Sequence, residues 1–380
     1  MLTYYLSKAA VLAAVVATTT TTFNVFIRPA DAFVAAPTLS RRCGHTLLHS
    51  EKSVTSSASA TVNIEDNITI NDKIELRDPT PDERGKGGVQ VVATDDGTTI
   101  KALEVLARIP RNLILASTDM SPRIIDAVAE ARNITWATEL TAVTLAALHP
   151  TDEDDVQKIK KAWIQSWKTG GWGSDTDLGP DIAGDVVGTL LTTGSDNDHN
   201  IYAKFRMPCH PALLKASMGL NFLTKCTEEE ARNALTARGF TYRSMRDALQ
   251  VLVLELEPTE RKGTLRDKRC WAVGDALDKV LARATTLQLD GDGTTMAHAI
   301  VPIHERLAHS LNANSKLVSI DNEVLLVATR DIEAGEPITR DYSLAPRIVG
   351  ANEEESSLER DGPSALQLLL QFGLPPSAWP

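Results

Sequence analysis

Three short groups of residues have the types and spacing to do chemistry. Gly85-Lys86-Gly87-Gly88 is a glycine-rich turn, Leu307-Ala308-His309-Ser310 is a polar turn, and Tyr342 closes the run Pro337-Ile338-Thr339-Arg340-Asp341-Tyr342-Ser343. Glycines let a backbone approach a ligand closely and take positive φ. The turn at 85–88 leads into the β-branched run from Val89, so it makes a poor phosphate loop, which needs a helix after it. The phenol of Tyr342 joins an apolar ring to a polar tip, so it can wall a channel while presenting an oxygen. Metal chemistry is not expected. His298, His304 and His309 are unevenly spaced, and Asp290-Gly291-Asp292-Gly293 would need Glu at its twelfth position, where Val301 stands. No acid–base pair stands out.

These groups need elements to position them. Val89 to Leu115 reads as short strands, with a turn at Asp96-Gly97 and with Ile109-Pro110-Arg111 leading into Leu113-Ile114-Leu115. Val92-Ala93-Thr94-Asp95-Asp96 is echoed by Val327-Ala328-Thr329-Arg330-Asp331 some two hundred residues later. Two similar β blocks so far apart suggest one β domain interrupted by an insertion.

The middle reads as helical. Asp152 to Asp155 can cap a helix carrying Val156, Ile159, Trp163 and Trp167. Thr227-Glu228-Glu229-Glu230 is a capping box, and Gly239 is expected to end that helix after Arg238. Ser244 is expected to cap an apolar helix that Pro258 stops. A further helix is expected from about Trp271 to Thr286, and a short one from Ser364 to Phe372. Trp136, Trp163, Trp167 and Trp172 are expected in the core of the insert, and Ser195 to Asn200 as a solvated loop. The expected class is α+β.

The stretch Val301 to Ser343, VPIHERLAHSLNANSKLVSIDNEVLLVATRDIEAGEPITRDYS, resembles the C-terminal half of a SET domain. The likeness is to the plant-type family of Rubisco large-subunit methyltransferase. Gly85 to Leu115 resembles the family's glycine turn, strand and Ile-Pro-Arg. Gly188-Thr189-Leu190 and Trp271-Ala272 are similar to landmarks of its insert, and Ser364 to Gly373 to its closing helix. The resemblance spans roughly residues 83–374.

What the resemblance implies is a SET-type β fold of short strands split by a long α-helical insert. Residues 83–117 would form the first part of the SET domain, 118–295 the insert, 296–345 the second part, and 346–380 a linker and terminal helix. The separate helical lobe with which the family grips protein substrate is not expected in this chain. The implied activity is S-adenosylmethionine-dependent protein-lysine N-methylation, with Tyr342 as the catalytic residue. Cofactor contacts would come from Gly85, Lys86, Gly87, Arg283, Ala308, His309 and Tyr342. The family's landmark spacing admits Lys279 as well as Arg283 for the cation facing the cofactor carboxylate, and Arg283-Ala284 fits the landmark better.

The chemistry explains this choice of residues. Methyl transfer to an amine is an in-line displacement, so a site must align nitrogen, carbon and sulfur, exclude water, and keep the lysine nitrogen unprotonated. A narrow apolar channel beside a sulfonium disfavours the ammonium by desolvation and like-charge repulsion. Two positions depart from the family pattern. Ala308 stands where Asn is usual, and Glu305 where Asp is usual. A backbone contact from His309 survives Ala308, but an Asn side-chain bond does not, which is worth about 1.5–3 kcal/mol, or roughly a tenfold to hundredfold in affinity. Asn312 or Asn314 could compensate from the same turn. The rival expectation is a SET-derived protein-binding module that has lost catalysis.

With 380 residues, 43% of them hydrophobic, the chain has ample material for a core. Its net charge of -11 argues against a general nucleic-acid binder, which would show a basic face. Cys43, Cys209, Cys226 and Cys270 form no CxxC pair, which argues against a zinc or disulfide framework. At the start, Lys8 precedes the apolar run Ala9 to Ala17, too short to span a bilayer, and Ala30-Asp31-Ala32 has the small-x-small pattern of a cleavage site. Phe33 then opens a Ser/Thr-rich stretch with Arg41, Arg42 and Lys52. This resembles the bipartite presequence of algae with complex plastids: a signal peptide at 1–32 and a transit segment at 33–62. The alternative is an ordinary secretory signal with a linker. The mature protein is expected to begin near residues 55–75, in the plastid, acting on a stromal protein, with no membrane attachment after processing.

Overall fold

The computed structural model describes residues 63–77, 90–95, 97–152, 154–167, 211–253, 265–289, 296–347 and 364–372. All belong to one compact unit, Ala60–Pro380. The expectations for Gly85 to Gly88, Gly188 to Leu190, Ser195 to Asn200, Pro258 and Asp290 to Gly293 lie outside the described residues.

The described chain is a mixed α and β structure with small sheets. The largest has four antiparallel strands, β1 (Thr69–Ile70), β4 (Val105–Pro110), β10 (Glu323–Ala328) and β9 (Ser315–Ile320), in the order β1-β4-β10-β9. β10 is buried from Val324 to Ala328, so it reads as an unbroken apolar run rather than an alternating one. Its register on β4 pairs Val324 with Ile109 and Leu325 with Arg108, which joins the two distant β blocks directly. β9 and β10 form a hairpin through Asp321 and Asn322; Asp321 takes φ 48°, which a short polar side chain tolerates.

Two smaller antiparallel sheets flank this one. β2 (Ile74–Arg77) pairs with β3 (Gln90–Ala93), and β7 (Met296–Ile300) lies between β5 (Leu115–Ala116) and β6 (Thr285–Gln288). Bridges from Val92 to Pro337 and from Ile100 to Ile332 fasten the first block to the second again. The remaining pair is parallel: β8 (Ala308–His309) runs beside β11 (Thr339–Arg340).

Seven helices are described: α1 (Pro122–Ala129), α2 (Trp136–Leu148), α3 (Asp155–Ser166), α4 (Pro211–Thr224), α5 (Glu228–Leu249), α6 (Leu265–Arg283) and α7 (Ala365–Phe372). Local capping chemistry sets several starts. Asp154 accepts from the N–H of Gln157, and Thr227 and Glu230 close a reciprocal box. α2 is buried almost all round, because it packs against α1, α3, α5, α6 and β5 at once. None of the described helices is long and apolar enough to cross a membrane.

Three expected boundaries are corrected. α5 does not stop at Gly239 but continues to Leu249, with Tyr242, Met245 and Leu249 buried beyond the glycine. Packing outweighs the roughly 1 kcal/mol that a helical glycine costs. Ser244 therefore lies inside α5 and caps nothing; its hydroxyl donates to the carbonyl of Thr241. α6 starts at Leu265 and ends at Arg283, while Thr285 and Thr286 belong to β6, where β-branched side chains fit better.

Candidate active site

The site is built around a pinched turn. Ile303, 2% exposed, has φ 69° and ψ −50°, a conformation that strains a β-branched residue by on the order of 1–3 kcal/mol. The turn starts a short 3-10 segment, His304–Arg306, held by the N–H groups of Glu305 on the Val301 carbonyl and of Arg306 on the Ile303 carbonyl. It delivers Leu307, Ala308 and His309 to the parallel pairing with β11, and the Ser310 N–H then donates to the Arg340 carbonyl at 3.1 Å.

Tyr342 follows β11 and is 6% exposed. Its hydroxyl donates to the Leu307 carbonyl at 2.9 Å, and its N–H donates to Nδ1 of His309 at 3.3 Å. The ring lies 5.0 Å from that of His309 and 4.3 Å from that of Phe372 on α7, both tilted by about thirty degrees. The guanidinium of Arg340 sits 4.6 Å from the centre of the same ring. Phenol, imidazole and guanidinium therefore share one enclosed spot.

Asn314 fixes the crossing from below. Its Oδ1 accepts from the N–H of Thr339 at 2.8 Å and from the Thr339 hydroxyl, while Nδ2 donates to the carbonyl of Pro337 and to Glu336. This amide is fully occupied in pinning β11, so it is not free to supply the compensating contact expected of it.

Charge is concentrated beside the phenol. Glu305 has a side chain only 1% exposed. Its Oε1 accepts from the indole N–H of Trp163 at 2.9 Å and lies 3.5 Å from Nε of Arg306, while Oε2 has no hydrogen-bond partner. Burial raises this carboxyl above its ordinary value, against the pull of Arg306, Trp163 and Arg283. Arg306 also pairs with Glu65 at 2.5 Å, so the segment before β1 reaches into the site. Arg283 ends α6 with its guanidinium 5.0 Å from the centre of the Trp167 ring and donates to the Lys279 carbonyl. Burial, partly countered by Glu305, brings it down to about 10, so it remains charged at neutral pH.

The histidines are lowered as well. Burial, with the Arg340 charge, takes His304 well below the usual imidazole range. Burial also lowers His309, against Asp341 and the Arg340 carbonyl. Nδ1 of His304, Nε2 of His309, Nε of Arg340 and Nε1 of Trp167 are all buried without a hydrogen-bond partner. Buried polar atoms are almost always paired, so each of these four is a candidate contact for a bound polar group.

Of the residues expected at the site, Tyr342, His309, Ala308 and Arg283 are brought into one neighbourhood, with Arg340 linking the strand end to α6. Lys279 pairs with Asp275 at 3.1 Å, and that carboxylate also acts on Arg283. Gly85, Lys86 and Gly87 lie outside the described residues. Sequence reasoning missed Arg340, the side-chain role of Glu305, the indole of Trp163 and the stacking of Phe372. The available signal was the charge of Arg340 at an inward position of the β-branched run Ile338-Thr339-Arg340. Among the described residues, no three His, Cys, Asp or Glu gather in a way that could hold a metal ion. No protein-family model matches the chain, and no match is found among curated proteins.

Proposed function

We propose that the chain is an S-adenosylmethionine-dependent protein-lysine N-methyltransferase of SET-type fold, acting on a stromal protein in a plastid. The observation that carries this reading is the phenol oxygen of Tyr342, held on the Leu307 carbonyl where the parallel β8–β11 pair brings His309 and Arg340 together. A phenol and a backbone carbonyl at one point suit a methyl acceptor, because they offer oxygens to an amine without charging it.

The residues present fit the cofactor by charge. A carboxylate has a partner in Arg283, and an ammonium has one in the unpaired Oε2 of Glu305. When bound, S-adenosylmethionine supplies a methyl group on a sulfonium. The chain's own contributions are alignment by Tyr342 and the Leu307 carbonyl, exclusion of water by Phe372 and the enclosing rings, and disfavour of an ammonium inside that enclosure.

One set of observations favours the second reading, a binding module without catalysis. Ala308 offers no side-chain hydrogen bond, and the amide of Asn314 is already engaged. Incubating the purified chain with methyl-labelled S-adenosylmethionine and a stromal extract tests the first reading. Labelled protein that disappears with Tyr342→Phe supports it. No label, together with no heat on titration with millimolar S-adenosylmethionine, supports the second.

A further inference from the structure

We infer that Arg340 is a positioning residue that locks the ring of Tyr342 for the transfer step. The inference rests on the methyltransferase reading and adds to it a residue without contact to either substrate.

The geometry assigns Arg340 two partners. One is the Tyr342 ring, 4.6 Å from the guanidinium. The other is the end of α6, where Nη1 donates to the Arg283 carbonyl at 3.5 Å and Nη2 to the Ala282 carbonyl at 3.3 Å. The last carbonyls of a helix have no partner within it and carry the negative end of its dipole, so a planar cation there is well placed. A guanidinium can reach two carbonyls and a ring face together because its donors are fixed in one plane. Arg340 is 3% exposed, and among the described residues no carboxylate pairs with it. A buried cation held only by neutral groups is a costly way to fill space. What the arrangement gives is orientation: Phe372 and Arg340 fix the ring, and the Leu307 carbonyl fixes its hydroxyl.

The neighbouring arginine keeps its own anchors. The Arg283 side chain rests on Trp167 and on the Lys279 carbonyl, so losing Arg340 removes only a bond to the Arg283 main-chain carbonyl and a like charge that disfavours its guanidinium. Loss of Arg340 is therefore expected to disturb turnover much more than cofactor affinity.

The test uses the full chain with Arg340→Met and Arg340→Lys, the lysine keeping charge and stem but losing the planar fork. Two measurements are taken: methyl transfer from labelled S-adenosylmethionine to stromal protein, and NMR of tyrosine ring carbons, with Tyr342→Phe assigning the signal. The expected result is at least a tenfold fall in kcat for Arg340→Met, a change in KM for the cofactor of under threefold, and partial recovery in Arg340→Lys. The Tyr342 ring signal should move in both variants without cofactor present. An unmoved ring signal overturns the proposal, as does a moved signal with unchanged kcat. A loss expressed only in KM overturns it as well. If the unmodified chain transfers no methyl group, the methyltransferase reading falls first, and the positioning role falls with it.

Discussion

The hydroxyl of Tyr342 and the carbonyl of Leu307 lie 2.9 Å apart, so the phenol is tied to the turn that also carries His304, Glu305 and Arg306. Tyr342→Phe removes one buried hydrogen bond and leaves the carbonyl unpaired. The expected cost is about 1–3 kcal/mol, visible as a melting temperature lower by several degrees in a chain that still folds. Methyl transfer is expected to vanish. A fully active Phe variant would remove Tyr342 from the mechanism.

Ala308 offers a gain-of-function test. Its side chain is half-buried beside His309, in the parallel pairing with Thr339. Ala308→Asn is expected to add one hydrogen bond to a charged ligand, worth about 1.5–3 kcal/mol, and so to tighten S-adenosylmethionine binding roughly tenfold to hundredfold. Titration calorimetry on both chains decides it. Equal affinities would detach the 308–309 turn from cofactor binding.

Glu305 predicts a pH-dependent stability. Its carboxyl is raised by burial, so folding favours the protonated form. That contribution is complete below the ordinary value of 4.5 and is lost as pH rises through the native value. Glu305→Gln keeps an acceptor for the Trp163 indole and cannot ionise. The variant should melt higher than the parent at pH 7, with the difference shrinking towards pH 4 in calorimetric scans. A difference that grows on acidification contradicts the assignment.

The buried histidines work in the opposite sense. His304 and His309 are both lowered, so their contribution is complete above 6.5 and is lost as pH falls through the native values. Protonating His309 also removes the acceptor for the Tyr342 N–H. Between pH 7 and pH 5 the parent should lose more melting temperature than His304→Gln. Parallel slopes would show that His304 binds its proton equally in the folded and unfolded chain.

The segment before β1 is part of the folded unit. Ile64 and Ile68 are buried in the main core, and Glu65 pairs with Arg306. A chain trimmed past Ile68 would lose these contacts. Trimming through Ile70 should prevent cooperative melting, since each large buried aliphatic side chain carries about 2–5 kcal/mol. Glu65→Gln is the milder control.

What was legible in the sequence was local. The caps at Asp154 and Thr227 were readable because each side chain bonds a backbone group three residues away. The break expected at Gly239 failed because Tyr242, Met245 and Leu249, beyond the glycine, are held by contacts from other elements. The same limit applies at the site. Tyr342, His309 and Arg283 could be named from their neighbours in the chain, but the indole of Trp163 on Glu305 joins residues 142 positions apart. Nothing in either segment alone announces that bond. Arg340 was readable as a charge in a β-branched run, but not as the link between α6 and the phenol.

The pairing of β4 with β10 has a consequence for how the molecule is made. Ile109 cannot meet Val324 until almost the whole chain has left the ribosome. During that delay a nascent chain displays β4 as a bare strand edge, which is a template for wrong partners. Biosynthesis at 37 °C without a holding chaperone should therefore yield inclusion bodies, and slower synthesis in the cold should yield more native product.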